Sequence, residues 1–393
     1  MIAGSRLRDH LARRPLLTAV VYTGVGVLPM FLVSAQILQL GREIDFGVAR
    51  LGLATAFFFG MAALAANPAG QVVARLGPRR GLRIGSSLTV VACILAASAS
   101  AWWVIPVATA LGGIGNGTIQ VAANVAIFDG VTRRRQGLAF GSKQASVPLA
   151  SMLAGLSLPV IGLVFGWRWV FIGAALLALM LAASAPAPAN RRKETRHEGP
   201  MGRPPPSLIL LGLAGISGAM AGNGVSLFVV PSAVAVGISE AAAGAVLAVC
   251  SFLAMAVRMA AGWTVDRRGS SGHTEMAWLV GAGAVGALVL MATSSPLPYL
   301  VAMPVAVLGA WGWPGVFFFT VVHSHSEFPA RASGLVLSSN LTGTVIGPLV
   351  VGILAGRGDY SAAWLFVGAA AVVSTVAFAF SRRSGERTAS VSS

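Results

Sequence analysis

The chain has 393 residues, 56% of them apolar and 10% charged, with a mean hydropathy of +0.79 and a formal net charge of +16. A soluble domain carries about 25% charged residues, so this composition excludes an ordinary cytosolic enzyme, a disordered chain and a secreted disulfide scaffold. The basic residues, 26 Arg and 2 Lys, sit in short breaks between apolar runs, which argues against a nucleic-acid partner despite a sequence pI near 11.7.

The apolar runs are long enough to cross a bilayer, which takes about 20 helical residues. In chain order they cover roughly 16–40, 51–73, 82–101, 103–128, 137–160, 167–185, 207–236, 241–263, 275–294, 297–322, 334–355 and 362–381. Helices are the only open-ended way to satisfy backbone groups in hydrocarbon. The first run is too long for the apolar region of a signal peptide and no small-residue cleavage site follows it, so it reads as span 1. Cys93 and Cys250 both lie inside apolar runs, which speaks against a disulfide framework. Between spans 6 and 7 lies a polar, basic, Pro-rich stretch containing ANRRKETRHEGPMGRPPP, the pattern of a flexible cytoplasmic linker. The expected fold is an all-α membrane protein with twelve transmembrane helices in two pseudo-symmetric six-helix bundles. The expected domains are 1–185, a linker at 186–206, a second bundle at 207–381 and a cytoplasmic tail at 382–393.

The connections set the expected orientation. With the amino terminus inside, 22 basic residues fall in inside segments and 4 in outside segments (Arg42, Arg50, Arg168 and Arg357). Two more, Lys143 and Arg258, fall within spans. An even number of spans is needed to keep both basic tails on one side. The expected location is the plasma membrane (the cell inner membrane), with both termini cytoplasmic.

The two halves repeat. After span 2 comes Gly70-Gln-Val-Val-Ala74-Arg75-Leu-Gly77-Pro-Arg-Arg80, and after span 8 comes Gly262-Trp-Thr-Val-Asp266-Arg267-Arg-Gly269. Span 5 opens at Gly137 and reaches Ser142-Lys143, while span 11 opens at Gly334 and reaches Ser339-Asn340. Pro29 and Pro231 sit at comparable depth in spans 1 and 7. Internal repeats of this kind characterise secondary transporters. The Gly-x-x-x-Asp-Arg-x-Gly loop, the six-linker-six layout and the Gly166-Trp-Arg-Trp-Val-Phe171 stretch together resemble the major facilitator superfamily over essentially the whole chain. That resemblance implies alternating access by a secondary transporter. It also implies that Gly70, Arg75, Gly262, Asp266 and Arg267 belong to gating loops, with Asp266 holding the loop between spans 8 and 9 against the inner end of span 5. Ala74 stands where the family usually has Asp. Span 4 carries Gly113-Ile-Gly115-Asn-Gly117 without an Arg about one turn earlier, and span 5 has Pro148 without the Gly-Pro pair of the antiporter motif. These departures count against drug/proton antiport.

No acidic residue lies well inside a span, which argues against a cationic substrate and an obvious central proton carrier. The embedded basic residues, Arg258 and Lys143, point instead to an anion. The run Arg258-x-x-x-Gly262-x-x-x-Asp266 is also similar to span 8 of monocarboxylate and oxalate carriers of the superfamily, where the Arg is implied to meet the substrate carboxylate. A planar guanidinium suits a carboxylate because it donates two parallel hydrogen bonds. Against this stands snorkelling of both side chains to the interface, or pairing of Arg258 with Asp266. Asn116, Gln120 and Asn124 form one polar stripe at i, i+4, i+8 on span 4. Asn116 and Gln120 read as cavity residues, and Asn124 as an interhelical hydrogen-bonding residue. Asn223 in span 7 and Asn340 in span 11 read as further substrate contacts, and Tyr22 in span 1 reads either as a lining residue or as packing. Trp311-Gly-Trp313-Pro314 in span 10 reads as packing at a kink, and His323-Ser-His325-Ser-Glu327 as a polar loop without metal.

The expected function is secondary active transport of a small organic or inorganic anion, and not enzymatic. Its rivals are efflux of hydrophobic drugs, a membrane-embedded enzyme and a receptor. An enzyme needs a nucleophile–base pair or metal ligands in the spans, and no His is embedded. The expected partners are a small-molecule solute, the lipid bilayer and, if transport is coupled, a co-transported ion. No cofactor or nucleic acid is expected, and the chain is expected to be a monomer.

Overall fold

A computed structural model describes residues 15–130, 141–186, 204–268, 270–325, 329–356 and 358–391. It contains twelve helices long and apolar enough to cross a membrane: Leu16–Ala35, Val48–Ala66, Pro78–Ala97, Val104–Ile127, Gly141–Phe165, Trp167–Ser184, Pro206–Ser226, Glu240–Val265, His273–Met291, Pro296–Phe318, Gly334–Leu354 and Ser361–Arg382. They are spans 1–12 below. The surface runs opposite to that of a soluble protein: Leu64, Trp278 and Leu297 are exposed, while Thr23, Ser86 and Ser374 are fully buried. In a bilayer this places apolar side chains against lipid and polar ones against other helices. The span 12 helix runs on through most of the predicted tail to Val391. Most of the predicted linker lies outside the described residues.

Four runs that the sequence reads as continuous are interrupted. Span 10 consists of two helices, Pro296–Gly312 and Pro314–Ser324, because Pro314 has no N–H to continue the ladder. The helix of span 7 ends at Ser226, and a second helix, Val229–Ala235, carries Pro231. Span 5 passes through a π turn at Leu158–Gly162 that contains Pro159. The run of span 1 ends at Ala35, and a separate helix, Ile37–Ile44, completes it.

The chain divides into two compact units, Met1–Lys193 with Ile238–Phe252, and Glu194–Gly237 with Leu253–Ser393. In the first unit, span 1 packs on spans 4, 5 and 6, and span 3 packs on spans 4 and 6. The same pairings recur six spans later in the second unit, 7 on 10, 11 and 12, and 9 on 10 and 12. The repeat seen in the loops therefore extends to the helix packing. Gly77 and Gly272, which precede spans 3 and 9, share a positive φ, +84° and +82°, that favours glycine.

Glycine sets the helix spacing in both units. A Cβ on Gly85 would lie 2.7 Å from the Gly115 carbonyl oxygen, which joins spans 3 and 4. The matching contact in the second unit joins spans 9 and 10, where a Cβ on Gly283 would lie 2.3 Å from the Ala310 nitrogen. Close backbone approach is the main source of helix association in lipid, where the hydrophobic effect between helices is absent. The first unit packs Tyr22, Val73, Leu82 and Ile119 into one cluster. The second is centred on Trp313, Phe317 and Phe378, with Trp313 and Phe317 edge to face at 4.9 Å.

Three of the four basic residues predicted to lie outside are ion-paired within the first unit: Arg42 with Glu240, Arg168 with Glu43, and Arg50 with Asp45 at 2.7 Å. Arg50 also lies over the Trp102 ring at 4.5 Å, and Arg168 over Trp167 at 4.3 Å. All three pairs are solvent-facing, so each contributes about 1 kcal/mol or less.

The glycine contacts yield a direct test. Gly283→Val forces a side chain into the backbone of span 10, and the yield of folded protein should collapse. Gly60→Ala, where a Cβ meets nothing within 4 Å, should be tolerated. Size-exclusion profiles and melting temperatures in detergent check both, and a well-folded Gly283→Val variant would contradict the packing.

Candidate functional site

The two embedded cations lie in different units. In the second unit Arg258, 6% exposed, projects from span 8 toward the break in span 10. Its Nε donates to the Trp311 carbonyl oxygen at 3.0 Å and its Nη2 donates to the same oxygen at 2.7 Å. The guanidinium carbon lies 4.9 Å from the centre of the Trp311 ring, a cation–π contact. The side chain is therefore turned into the protein and does not snorkel. Span 10 contributes through the kink itself: the indole N–H of Trp313 donates to the Ala310 carbonyl at 2.9 Å, the acceptor that Pro314 cannot serve.

In the first unit Lys143, 5% exposed, donates through Nζ to Asn124 Oδ1 at 2.5 Å. Asn124 thus ties span 4 to span 5. Asn116, two turns away on span 4, is 4% exposed, and its Oδ1 has no hydrogen-bond partner among the described residues. It lies against span 1, where a Cβ on Gly26 would come within 3.3 Å of that oxygen. Gln120 is half-buried. Tyr22 is fully buried in the cluster of the first unit, and its hydroxyl donates to the Leu181 carbonyl at 2.7 Å. Its polar atom is thereby used in joining spans 1 and 6.

The second unit has a comparable polar link between spans 7 and 11. Asn223 Nδ2 donates to the Ala219 carbonyl at 3.1 Å and to Thr344 Oγ1 at 3.2 Å. Asn340 is half-buried one turn from Thr344, whose hydroxyl donates to the Asn340 carbonyl at 2.9 Å. Among the predicted gating residues, a Cβ on Gly70 or Gly262 would meet nothing within 4 Å, and Arg75 is exposed. Arg267 is exposed and lies 5.0 Å over the Trp263 ring. The Asp266 side chain, like those of His323 and Glu327, lies outside the described residues. His325 is buried, with Nε2 at 3.1 Å from the Ser207 hydroxyl. Burial holds its imidazole below the usual histidine value. No group of three or more metal-ligating side chains occurs among the described residues.

Arg258 and Lys143 are thus both inside the protein, each donating to a neutral oxygen. Sequence reasoning missed Trp311, which contributes a main-chain carbonyl as well as its ring. The available signal was Pro314 three residues later, which marks a break in the hydrogen-bond ladder.

Residues 16–336 match the profile of the Major Facilitator Superfamily. Among solved structures, the chain is similar to a bacterial homologue of the human lysosomal transporter Spinster in an inward-facing, occupied conformation. That match has 17% identity and a TM-score of 0.73, and covers 94% of this chain and 96% of the other. It is also similar to a D-xylose–proton symporter, at 14% identity and a TM-score of 0.76, covering 92% of this chain and 96% of the other. No curated protein sequence matches the chain. Twelve membrane-spanning helices, a packing scheme repeated six spans later and a family match over most of the length lead to one assignment: the chain belongs to the major facilitator superfamily, and is a multi-pass membrane transporter.

Proposed function

We propose that this transporter moves a small organic or inorganic anion by secondary active transport, with Arg258 as the group that recognises it. The observation that carries this reading is the buried guanidinium of Arg258, which already holds an sp² oxygen with two N–H donors. A carboxylate oxygen meets the same donors and adds a full negative charge. The first unit holds its own buried cation, Lys143, and a buried amide oxygen, Asn116 Oδ1, that has no hydrogen-bond partner among the described residues. The relatives include a proton-coupled symporter of D-xylose. Its proton coupling is not carried over, because no carboxylate lies well inside a span of this sequence. The second reading is efflux of hydrophobic compounds, for which the buried indoles of Trp311 and Trp313 would provide the apolar surface. Both termini and the 186–206 linker are assigned to the cytoplasm of a plasma-membrane protein, on the distribution of Arg and Lys. Asp266 is assigned to a gate element whose loss alters conformational balance more than substrate affinity.

Ligand affinity in detergent tests the anion assignment. A charge-assisted contact contributes about 1.5–3 kcal/mol, so Arg258→Ala should weaken an anionic ligand about 10- to 100-fold. Arg258→Lys keeps the charge without the fork and should recover part of the loss. Equal affinity in all three proteins would remove Arg258 from the site.

Orientation is tested by placing one Cys at Thr195 in a variant lacking Cys93 and Cys250. A membrane-impermeant maleimide added to intact cells should leave it unlabelled, and ready labelling would reverse the topology.

The two loops should differ in weight. Asp266→Asn should lower transport strongly with folding intact, whereas Ala74→Asn should change it little. Small and equal effects on uptake into proteoliposomes would remove the gate assignment.

A further inference from the structure

The break in span 10 places one residue on two sides of the Arg258 guanidinium. The Trp311 carbonyl receives both Nε and Nη2, and the Trp311 ring lies beneath the guanidinium carbon. The helices are close enough for this because residue 312 is glycine: a Cβ there would lie 2.9 Å from Val257 Cγ1 on span 8. The break has a covalent cause in Pro314, whose missing N–H leaves the Ala310 carbonyl to the Trp313 indole. The contact is thus built into the fold and occupies the donors that the anion reading assigns to the substrate.

We infer that the Trp311 carbonyl stands in for a substrate carboxylate oxygen, and that an anion binds Arg258 by displacing it. This rests on the anion reading above and adds a source of selectivity. A neutral ligand that offers an amide or hydroxyl oxygen gains about as much at the guanidinium as the carbonyl it removes. A carboxylate gains more, because a hydrogen bond to an ionised acceptor is roughly twice as strong as a neutral one. The self-contact therefore filters out neutral solutes and lowers the apparent affinity for every ligand. It also links binding to movement, since the displaced carbonyl sits at the break in span 10. Trp311 and Pro314 act on affinity through Arg258 and are positioning residues.

Formate, oxalate and lactate serve as probes, titrated calorimetrically into purified protein. Pro314→Ala returns an N–H to Ala310 and favours a continuous helix, in which the Gly315 N–H is the natural donor to the Trp311 carbonyl. With the carbonyl's hold on the guanidinium weakened, Pro314→Ala should bind the anion about tenfold more tightly. In the Arg258→Lys background the same change should bring no gain, which a merely structural proline would not predict. The carbonyl can be watched directly, because Trp311-Gly312 is the only Trp-Gly pair in the sequence. Carbonyl-¹³C tryptophan with ¹⁵N glycine gives a single doubly filtered NMR signal, which should shift when the anion saturates the protein. If Pro314→Ala fails to fold, that signal in the unmodified protein decides. Arg258-dependent binding with a stationary Trp311 carbonyl signal and no gain in Pro314→Ala overturns the displacement and leaves the anion reading intact. Failure of all three anions to bind the unmodified protein overturns both.

Discussion

A main-chain carbonyl left without a partner in hydrocarbon costs several kcal/mol, and no water is present to supply one. The interrupted helices meet that constraint with main-chain N–H groups, as where the Ser232 N–H donates to the Phe228 carbonyl at 3.1 Å, and with side chains. At the break in span 7, the Ser232 hydroxyl donates to the Phe228 carbonyl at 2.5 Å and the Tyr299 hydroxyl donates to the Val229 carbonyl at 2.9 Å. At the break in span 10, the donors are the Trp313 indole and the Arg258 guanidinium. A buried guanidinium of the second unit is therefore used where the helical ladder fails. Chemistry and architecture share one contact there.

Sharing has an energetic consequence. A buried cation is tolerated only when its donors are occupied, and a carbonyl at a helix break is tolerated only when it is served. Arg258 and the Trp311 carbonyl offset part of each other's cost through two hydrogen bonds to a neutral oxygen. Lys143 and Asn124 likewise offset part of theirs between spans 4 and 5. A neutral partner leaves most of the positive potential in place for a ligand, whereas a carboxylate would cancel it. That is how a buried cation can be held firmly and still favour an anion.

The two units also show how a repeated sequence is put to unequal use. Spans 3 and 4 meet at Gly85 and Gly115, and spans 9 and 10 meet at Gly283 and Ala310, so the same close approach recurs. Span 10 then breaks at Trp313, whereas span 4 runs unbroken as a helix from Val104 to Gly130. The difference follows from Pro314. In span 4 the comparable role passes to side chains, with Asn116 and Asn124 on one helix face and Lys143 reaching the second of them.

The amino-acid sequence by itself determined the spans, the helical class, the polar linker and the repeat. These are local properties, because a run of about 20 apolar residues, a cluster of Arg or a Gly-rich loop is visible without knowing what lies beside it. Its polar stripe on span 4 was legible for the same reason, since helical spacing alone puts Asn116 and Asn124 on one face. Only the tertiary structure decided what each polar side chain is bonded to. Arg258 meets a carbonyl 53 residues away, and Lys143 meets Asn124 across a helix boundary. Those partners depend on which helices are neighbours and how each is rotated about its axis, and both are set by close contacts at Gly85, Gly283 and Gly312. The sequence pattern could mark Trp311 and Trp313 as residues at a kink. It could not show that one of them offers its backbone to Arg258, because a carbonyl belongs to every residue and leaves no mark in the sequence.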